Sequence, residues 1–369
     1  KHHIFHASCA KLFYPKANYF LVWDQQGALK DSGLEQETLY THKFNQIYSN
    51  ARLENSNIGL GERYAIATRL SGFNELEDGK TMALAQYKKP GVAYFEQKRL
   101  EKKSLHLLKT LEILHFKKGD TVCLTGGVAQ NVVNNSKLQG KIVACPFNGD
   151  FGISLGAAAY YEDLHRVYIP LKNIYTGLKT ELDLYRFNKY KQEKVTYHDV
   201  CKIMQKEPVA IFQSRSEQGQ RGLGNRSLLI DIKAPKAVEK INKIKKREWF
   251  RPFACSILED EAHKWFHTKG KLSPYMMFVF KSKKASLTKS VCSVDNLSRI
   301  QTVAYSHNKH FHNLLLTNKR FYKRPLLLNT SLNLPGHVLV ESLDDLFYMF
   351  INTDLKYIYL PEREIIIKK

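Results

Sequence analysis

The sequence predicts an α/β protein of two domains, and three observations predict it. The chain has 369 residues, and at ~150 residues per domain that length holds two. Hydrophobic residues make up 43% and aromatic residues 12%, enough to build substantial cores and to exclude a disordered chain. Between residues 121 and 161 two strand-turn-helix units follow one another directly. That succession builds partly parallel sheets, whose ligands sit at the carboxyl ends of the strands.

The elements follow in order. Residues 17–24 read as a buried strand ending in Asp24, with Gln25-Gln26-Gly27 as the turn after it. Residues 57–87 are helical, interrupted at Gly72 and Asp78-Gly79. Leu105, Leu108, Leu111 and Leu114 recur at helical spacing within residues 101–116. Then come a strand over 121–125, the Gly126-Gly127 turn and a helix over 128–138. A second strand over 141–145 leads through Asn148-Gly149-Asp150 to a helix over 151–161. Beyond residue 165 the pattern weakens into Tyr- and Lys-rich text, which sets the domains at 1–185 and 186–369. In the second domain 208–212, 325–328 and 357–360 read as strands, 237–246 as a basic amphipathic helix and 340–353 as a helix.

Lys and Arg number 57 against 35 Asp and Glu, a formal net charge of +22 with His neutral, which favours anionic partners. No apolar run approaches the ~18 residues that span a bilayer, so no membrane partner is expected. The six cysteines lie far apart without a C-x-x-C pair, and reduced core thiols of a cytoplasmic protein are the expectation.

Three constellations carry chemistry. His2-His3-Ile4-Phe5-His6 opens the chain, and on a helix His2 and His6 share one face at the spacing that lets two imidazoles hold one metal ion. An expression-tag remnant or a solvated histidine cluster is the alternative, and a third ligand decides. Asp150, before a small-residue helix, is the candidate, a helix N-cap being the other reading there. Two imidazoles and a carboxylate leave open positions on an octahedral ion such as Fe(II), which must also take a substrate oxygen. Thr125-Gly126-Gly127-Val128-Ala129-Gln130-Asn131 ends a strand in paired glycines, which admit a phosphate or ribose to the backbone or simply make a tight turn. Asp24 with Gly27 is a candidate opposing phosphate loop. Residues 215–227 hold Arg215, Arg221 and Arg226 among three glycines, and Lys245, Lys246, Arg247 and Arg251 follow around Trp249 and Phe250. An RNA surface would stack bases on those rings, whereas the clustered glycines and the polar loop Asn329-Thr330-Ser331-Leu332-Asn333 favour a small-anion pocket.

The motifs stand in a fixed succession. H-H-x-x-H-A (2–7), D-x-x-G (24–27), G-K-x-M-x-L-A-x-Y (79–87), G-G-V-A-x-N (126–131) and G-D-x-G-x-x-L-G-A-A (149–158) occupy the first domain. R-x-x-G-N-R-S (221–227), K-x-R-E-x-F-R-P-F-A (245–254), S-P-Y-M (273–276), R-x-Q-T-V (299–303) and N-T-S-x-N (329–333) follow. Over almost the whole chain this order resembles the O-carbamoyltransferase family of the nodulation-factor and aminoglycoside-antibiotic type. The resemblance implies an actin/Hsp70-like (ASKHA) first domain, N-terminally incomplete here, and an α+β second domain similar to threonylcarbamoyl-adenylate synthase. It implies that carbamoyl phosphate and ATP, with Mg2+, give carbamoyl-adenylate and pyrophosphate, and that the carbamoyl group then passes to an acceptor hydroxyl of a sugar, nucleoside or natural product. By matching position, His2, His6 and Asp150 would hold Fe(II) or a similar divalent metal. Asp24, Gly27, Gly126, Gly127 and Asn131 would line the adenylate site. Lys245, Arg247, Ser331 and Asn333, with Arg221, Arg226 and Arg251, would bind the phosphates, and loops such as 28–56 would select the acceptor.

Gln25, Ala83, Gln220, Gly222, Cys255, Ser293 and His337 depart from the family pattern. A truncated or inactive relative and an RNA-binding or tRNA-modifying protein are the competing readings.

Overall fold

The computed structural model describes residues 1–27, 29–30, 33–43, 46–55, 59–165, 171 and 173–369. The chain forms two compact units, Lys1–Asn173 and Ile174–Lys369. The break comes after Asn173 and not after residue 185, because the segment between is bonded into the second unit. The Gln218 amide donates to Ile174 O at 3.0 Å, the Tyr175 hydroxyl to Leu223 O at 2.9 Å and Arg215 to Gly177 O at 2.8 Å.

In the first unit, helix α1 (His2–Phe13) precedes a six-stranded sheet of β1 (Tyr19–Trp23), β2 (Leu29–Lys30), β3 (Gly33–Lys43), β4 (Gln46–Asn55), β5 (Thr121–Thr125) and β6 (Lys141–Ala144). Strand β1 is central because Phe20, Leu21, Val22 and Trp23 are all buried, which only a strand covered on both faces permits. It pairs antiparallel with β3 and parallel with β5, which pairs parallel with β6. The carboxyl ends of β1, β5 and β6 therefore share one edge, and Asp24, Gly126-Gly127 and the segment leading to Asp150 all leave from it.

Several expectations are revised here. Most of residues 28–56, expected as acceptor-selecting loops, is the β3–β4 hairpin; residues 28, 31–32, 44–45 and 56 lie outside the described residues. The helix expected over 128–138 is a 3-10 turn, Gly127–Gln130, followed by α5 (Val132–Asn135), because Asn131 accepts the Asn134 amide at 3.0 Å and restarts the helix as its N-cap. Helices α2 (Leu60–Leu70), α3 (Asp78–Ala85) and α4 (Val92–His115) precede it in the chain. Helix α4 buries Ala93, Gln97, Leu100, Ser104, Leu108 and Leu111, and Leu114 falls on its exposed side.

Helix α6 (Ile153–Leu164) packs on α1, and a glycine makes the contact possible. A Cβ at Gly156 would lie 1.9 Å from Phe5 O and 3.2 Å from Cys9 Cβ. A buried ion pair, Lys11 Nζ to Asp163 at 2.6 Å, joins the same two helices.

The second unit is a nine-stranded mixed sheet of β7 (Lys191–Lys194), β8 (Val209–Phe212), β9 (Arg226–Ile230), β10 (Ala254–Leu258), β11 (Val279–Lys281), β12 (Leu297–Val303), β13 (Leu326–Ser331), β14 (Tyr357–Leu360) and β15 (Ile365–Lys368). Their order is β11-β12-β10-β13-β9-β8-β14-β15-β7. Strands β8, β9 and β10 are buried at every position. Helix α7 (Tyr197–Met204) begins with a capping box between Thr196 and Asp199, and α8 (Ala237–Lys245) ends one residue short of its expected end. Asn329, Thr330 and Ser331, expected in a loop, are the last residues of β13, paired to β9.

All six cysteines are free thiols. Among the described residues no helix is long and apolar enough to cross a membrane.

The α1–α6 contact sets an expected outcome. Gly156→Ala forces the helices apart at a cost of about 1–3 kcal/mol and lowers the thermal midpoint. Gly79→Ala, where nothing lies within 4 Å, leaves the midpoint in place. Equal midpoints in calorimetry would mean that the close approach carries no stability.

Candidate functional site

At the carboxyl edge of the first sheet, Asp24 leaves β1 with its two oxygens differently engaged. Its Oδ1 accepts the backbone N–H of Gln25 at 2.9 Å and of Gly127 at 3.0 Å. Its Oδ2 lies 2.7 Å from His2 Nε2 and 2.9 Å from His6 Nε2. Helix α1 places the two imidazoles one turn apart, with ring centroids 4.9 Å apart and a T-shaped arrangement. Asp150 Oδ1 approaches the same nitrogens, at 3.6 Å from His2 and 3.5 Å from His6. Gly149, not Asp150, is the N-cap of the turn before α6, so the carboxylate is not spent on capping.

These four donor atoms lie within 4.8 Å of one another. Metal–ligand bonds of about 2.1 Å at right angles put neighbouring donors about 3 Å apart, the spacing seen here. Two imidazole nitrogens and two carboxylate oxygens fit a divalent transition metal with positions left open. His6 is buried and the Asp150 side chain is 74% exposed, so the group is closed on the protein side and open on the other. His3, between the two imidazoles in sequence, turns instead to Thr38 Oγ1 at 2.8 Å. Without an ion the group is held by protons. Burial pulls the His6 imidazole down, but the hydrogen bonds and charges of Asp150 and Asp24 overcome it and lift it to about 9. Burial likewise raises Asp24, and the bonds from His2 and His6 reverse this and hold it well below the usual carboxylate range.

Asp24 was expected in a phosphate loop, and its place among the imidazoles is what the sequence reading missed. The signal was present, since a strand ending in an acid beside a paired-glycine turn brings both to one edge. Gly126, at φ +86, needs to be glycine because a Cβ would lie 2.3 Å from Trp23 O. Gly27 donates to Glu35 O at 2.7 Å, and Asn131 donates to Gln97 Oε1 at 2.9 Å, so each of these expected nucleotide contacts also has a partner within the fold. The Gln25 amide turns to Glu62 at 2.8 Å.

In the second unit, Lys245 at the end of α8 donates to Ser331 O at 2.8 Å, Asn333 O at 2.5 Å and Asn333 Oδ1 at 2.6 Å. Ser331 Oγ adds a bond to Asn333 Oδ1 at 2.7 Å, so the K-x-R and S-x-N motifs form one network. Arg247 lies over the Phe253 ring at 5.0 Å and donates to Pro252 O at 3.2 Å, while Arg251 pairs with Glu248 at 3.2 Å. The Nε atoms of Arg221, Arg247 and Arg299 are buried without an acceptor. Burial and then the charges of Arg247 and Arg251 pull Arg221 down to about 10 and Lys245 down to about 7. Burial also lowers Arg247 and Arg299, with Arg251 acting on both. Five cations thus press on one another with Glu248 as their neighbouring carboxylate. Buried charge of one sign without a counterion is unfavourable, and a ligand with several negative charges relieves it.

Arg299 was not singled out as a site residue, although R-x-Q-T-V contains it. Gln301, two residues on in β12, donates to Leu223 O at 2.8 Å and so holds the loop that carries Arg221. Arg226, expected among the phosphate ligands, is not brought to this group. Its guanidinium lies over the Phe212 ring at 3.7 Å and donates to Gln213 O at 2.6 Å, Asn225 O at 3.1 Å, Ser214 O at 3.2 Å and Glu341 O at 3.4 Å. It ties backbone segments together from a fully buried position. A separate cleft of about 550 Å³, lined by Trp265, Lys284, Leu316, Arg320 and Lys323 among others, opens beyond the carboxyl end of β10, while the five cations gather before its start.

Residues 200–369 match the family described as Carbamoyltransferase C-terminus. An uncharacterized protein of Methanocaldococcus jannaschii is 30% identical across 97% of this chain and 81% of its own length. Nodulation protein NolO of Bradyrhizobium diazoefficiens is 31% identical across 70% of this chain and 51% of its own length. Among solved structures, component A of (R)-2-hydroxyglutaryl-CoA dehydratase from Acidaminococcus fermentans aligns with 44% of this chain and 69% of its own at 14% identity and a TM-score of 0.31, too low to argue from.

Two outcomes follow from the geometry. Calorimetry with Mn(II) detects one site in the wild type, and Asp24→Ala weakens it by about 100-fold or more; unchanged affinity would remove Asp24 from the ligand set. With Lys245 at about 7 in the free protein, polyanion binding takes up a proton, so affinity for tripolyphosphate falls as pH rises above 7, by at most about tenfold per unit. Folding stability runs the other way. The unfolded lysine keeps its proton to 10.5, so stability rises with pH between about 7 and that value. Lys245→Met flattens both dependences, and their persistence in that variant would assign them elsewhere.

Proposed function

The chain belongs to the carbamoyltransferase family, and from that membership we propose that its Ile174–Lys369 unit makes carbamoyl-adenylate and its Lys1–Asn173 unit serves transfer to an acceptor hydroxyl. Water cleaves carbamoyl phosphate to carbamate and inorganic phosphate. A carbamate oxygen then attacks the α-phosphorus of ATP, and pyrophosphate leaves. The observation that carries the reading is the half-buried group of Lys245, Arg221, Arg247, Arg251 and Arg299, whose charge the protein itself leaves largely unopposed. ATP with Mg2+ and carbamoyl phosphate bring the phosphates that such a group attracts. The guanidinium forks draw the phosphate oxygens together and offset the charge that builds on the departing pyrophosphate. Ser331 and Asn333 hold the Lys245 ammonium in place among them.

In the first unit His2, His6, Asp24 and Asp150 would hold Fe(II) or a similar divalent ion. Such an ion, when bound, supplies Lewis acidity toward the acceptor oxygen. The chain's own part is orientation. Asp24 anchors the Gly127 turn and both imidazoles at once, and exposed Asp150 leaves the outer face of the group open to a sugar, nucleoside or natural-product hydroxyl. The half-buried guanidinium groups of Arg221, Arg247 and Arg299, with their Nε atoms closed off from solvent, speak against a nucleic-acid surface, where cations stand in solvent and follow a long backbone.

Purified protein incubated with ATP, carbamoyl phosphate and Mg2+ releases pyrophosphate in a coupled assay. Arg247→Ala and Arg299→Ala each lower kcat/KM by about 100-fold to 1,000-fold. Asp24→Asn leaves pyrophosphate release intact. Wild-type release from the two arginine variants would overturn the assignment of the second unit.

A further inference from the structure

We propose that Trp249 is the platform on which the base of the nucleotide stacks, a role that rests on the reading of the second unit as an ATP site and adds its base-recognition residue. Helix α8 ends in a reversal of the chain. Lys246 is held at φ +45, a left-handed conformation that a side chain adopts only under constraint. That reversal lets Lys245 on one side and Arg247 on the other join the same cationic group. The chain then turns again over Glu248-Trp249-Phe250-Arg251. The turn is pinned twice, by the Arg251 N–H on Glu248 O at 3.2 Å and by Arg251 Nη1 on Glu248 Oε2 at 3.2 Å. Trp249 occupies its first central position, two residues from Arg247 and two from Arg251.

The indole is 76% exposed, whereas the chain's other two tryptophans, Trp23 and Trp265, are buried at 0% and 4%. Phe250 stands almost perpendicular to it, with centroids 5.9 Å apart and an interplanar angle of 88°. A turn that follows Arg247 and closes at Arg251 thus presents a large flat ring to solvent at that group's edge. A ligand whose phosphates lie among buried guanidinium groups has its base directed outward. The ring on the rim is there to meet it. Stacking of this kind accepts any base with a π-face and favours the larger purines.

Tripolyphosphate separates the phosphate contribution from that of the base. In calorimetry the wild type binds ATP about tenfold or more tighter than tripolyphosphate, and ATP quenches the fluorescence of the exposed indole while tripolyphosphate does not. In Trp249→Ala the advantage of ATP disappears and the tripolyphosphate affinity stays, and Trp249→Phe restores part of the advantage. If Trp249→Ala keeps the full ATP advantage, the stacking role is overturned while the phosphate site stands. If the wild type binds neither ligand, the adenylation reading fails and the stacking role fails with it.

Discussion

Asp24 ends the central strand of the first unit with two oxygens that do different work, and the arrangement around it depends on that division. One oxygen holds the amide of Gly127, which fixes the turn after β5; the other is shared by His2 and His6. A single carboxylate thereby joins a strand, a glycine turn and a helix that are far apart in sequence. The burial around it makes the join strong, because a buried carboxylate stays charged only when donors surround it. Asp150 approaches the same imidazoles from the turn before α6, a helix held against α1 by the close approach at Gly156 and by the Lys11–Asp163 pair.

The second unit poses the opposite electrostatic problem. Arg226 directs its two terminal nitrogens at four backbone carbonyls, and Arg324 pairs with the buried Asp231 at 2.8 Å. Arg221, Arg247 and Arg299 stand instead beside other cations. The neighbours of each guanidinium, backbone carbonyls and a carboxylate in one set and other cations in the other, distinguish the two. The left-handed Lys246 that ends α8 and the double-pinned turn after it carry members of the second set. Both keep cations together that repulsion would otherwise spread apart.

Much of the fold was legible because local rules applied. Strands β1, β5, β6 and β8 are short apolar runs bounded by turn residues, and they fall within a residue or two of their expected places. The hairpin β3–β4 was not legible, since Glu35, Gln36, Glu37 and Thr38 are polar yet buried in it, which no hydrophobic pattern announces. The helix after Gly127 broke at Asn131 for a related reason, because a polar side-chain cap outweighed the apolar residues Val128, Ala129, Val132 and Val133 on either side.

By itself the sequence determined the inventory of chemical groups. Two imidazoles four residues apart, an acid at the end of a buried strand, and arginines among glycines are properties of spacing and side-chain type. Only the tertiary structure decided which of them meet. It brought Asp24 to the imidazole pair, withdrew Arg226 into the core and added Arg299 to the cations. Spacing along a chain governs neighbours within a few residues. The meeting of residues 6 and 24, or of 221 and 299, is set by strand register and helix packing.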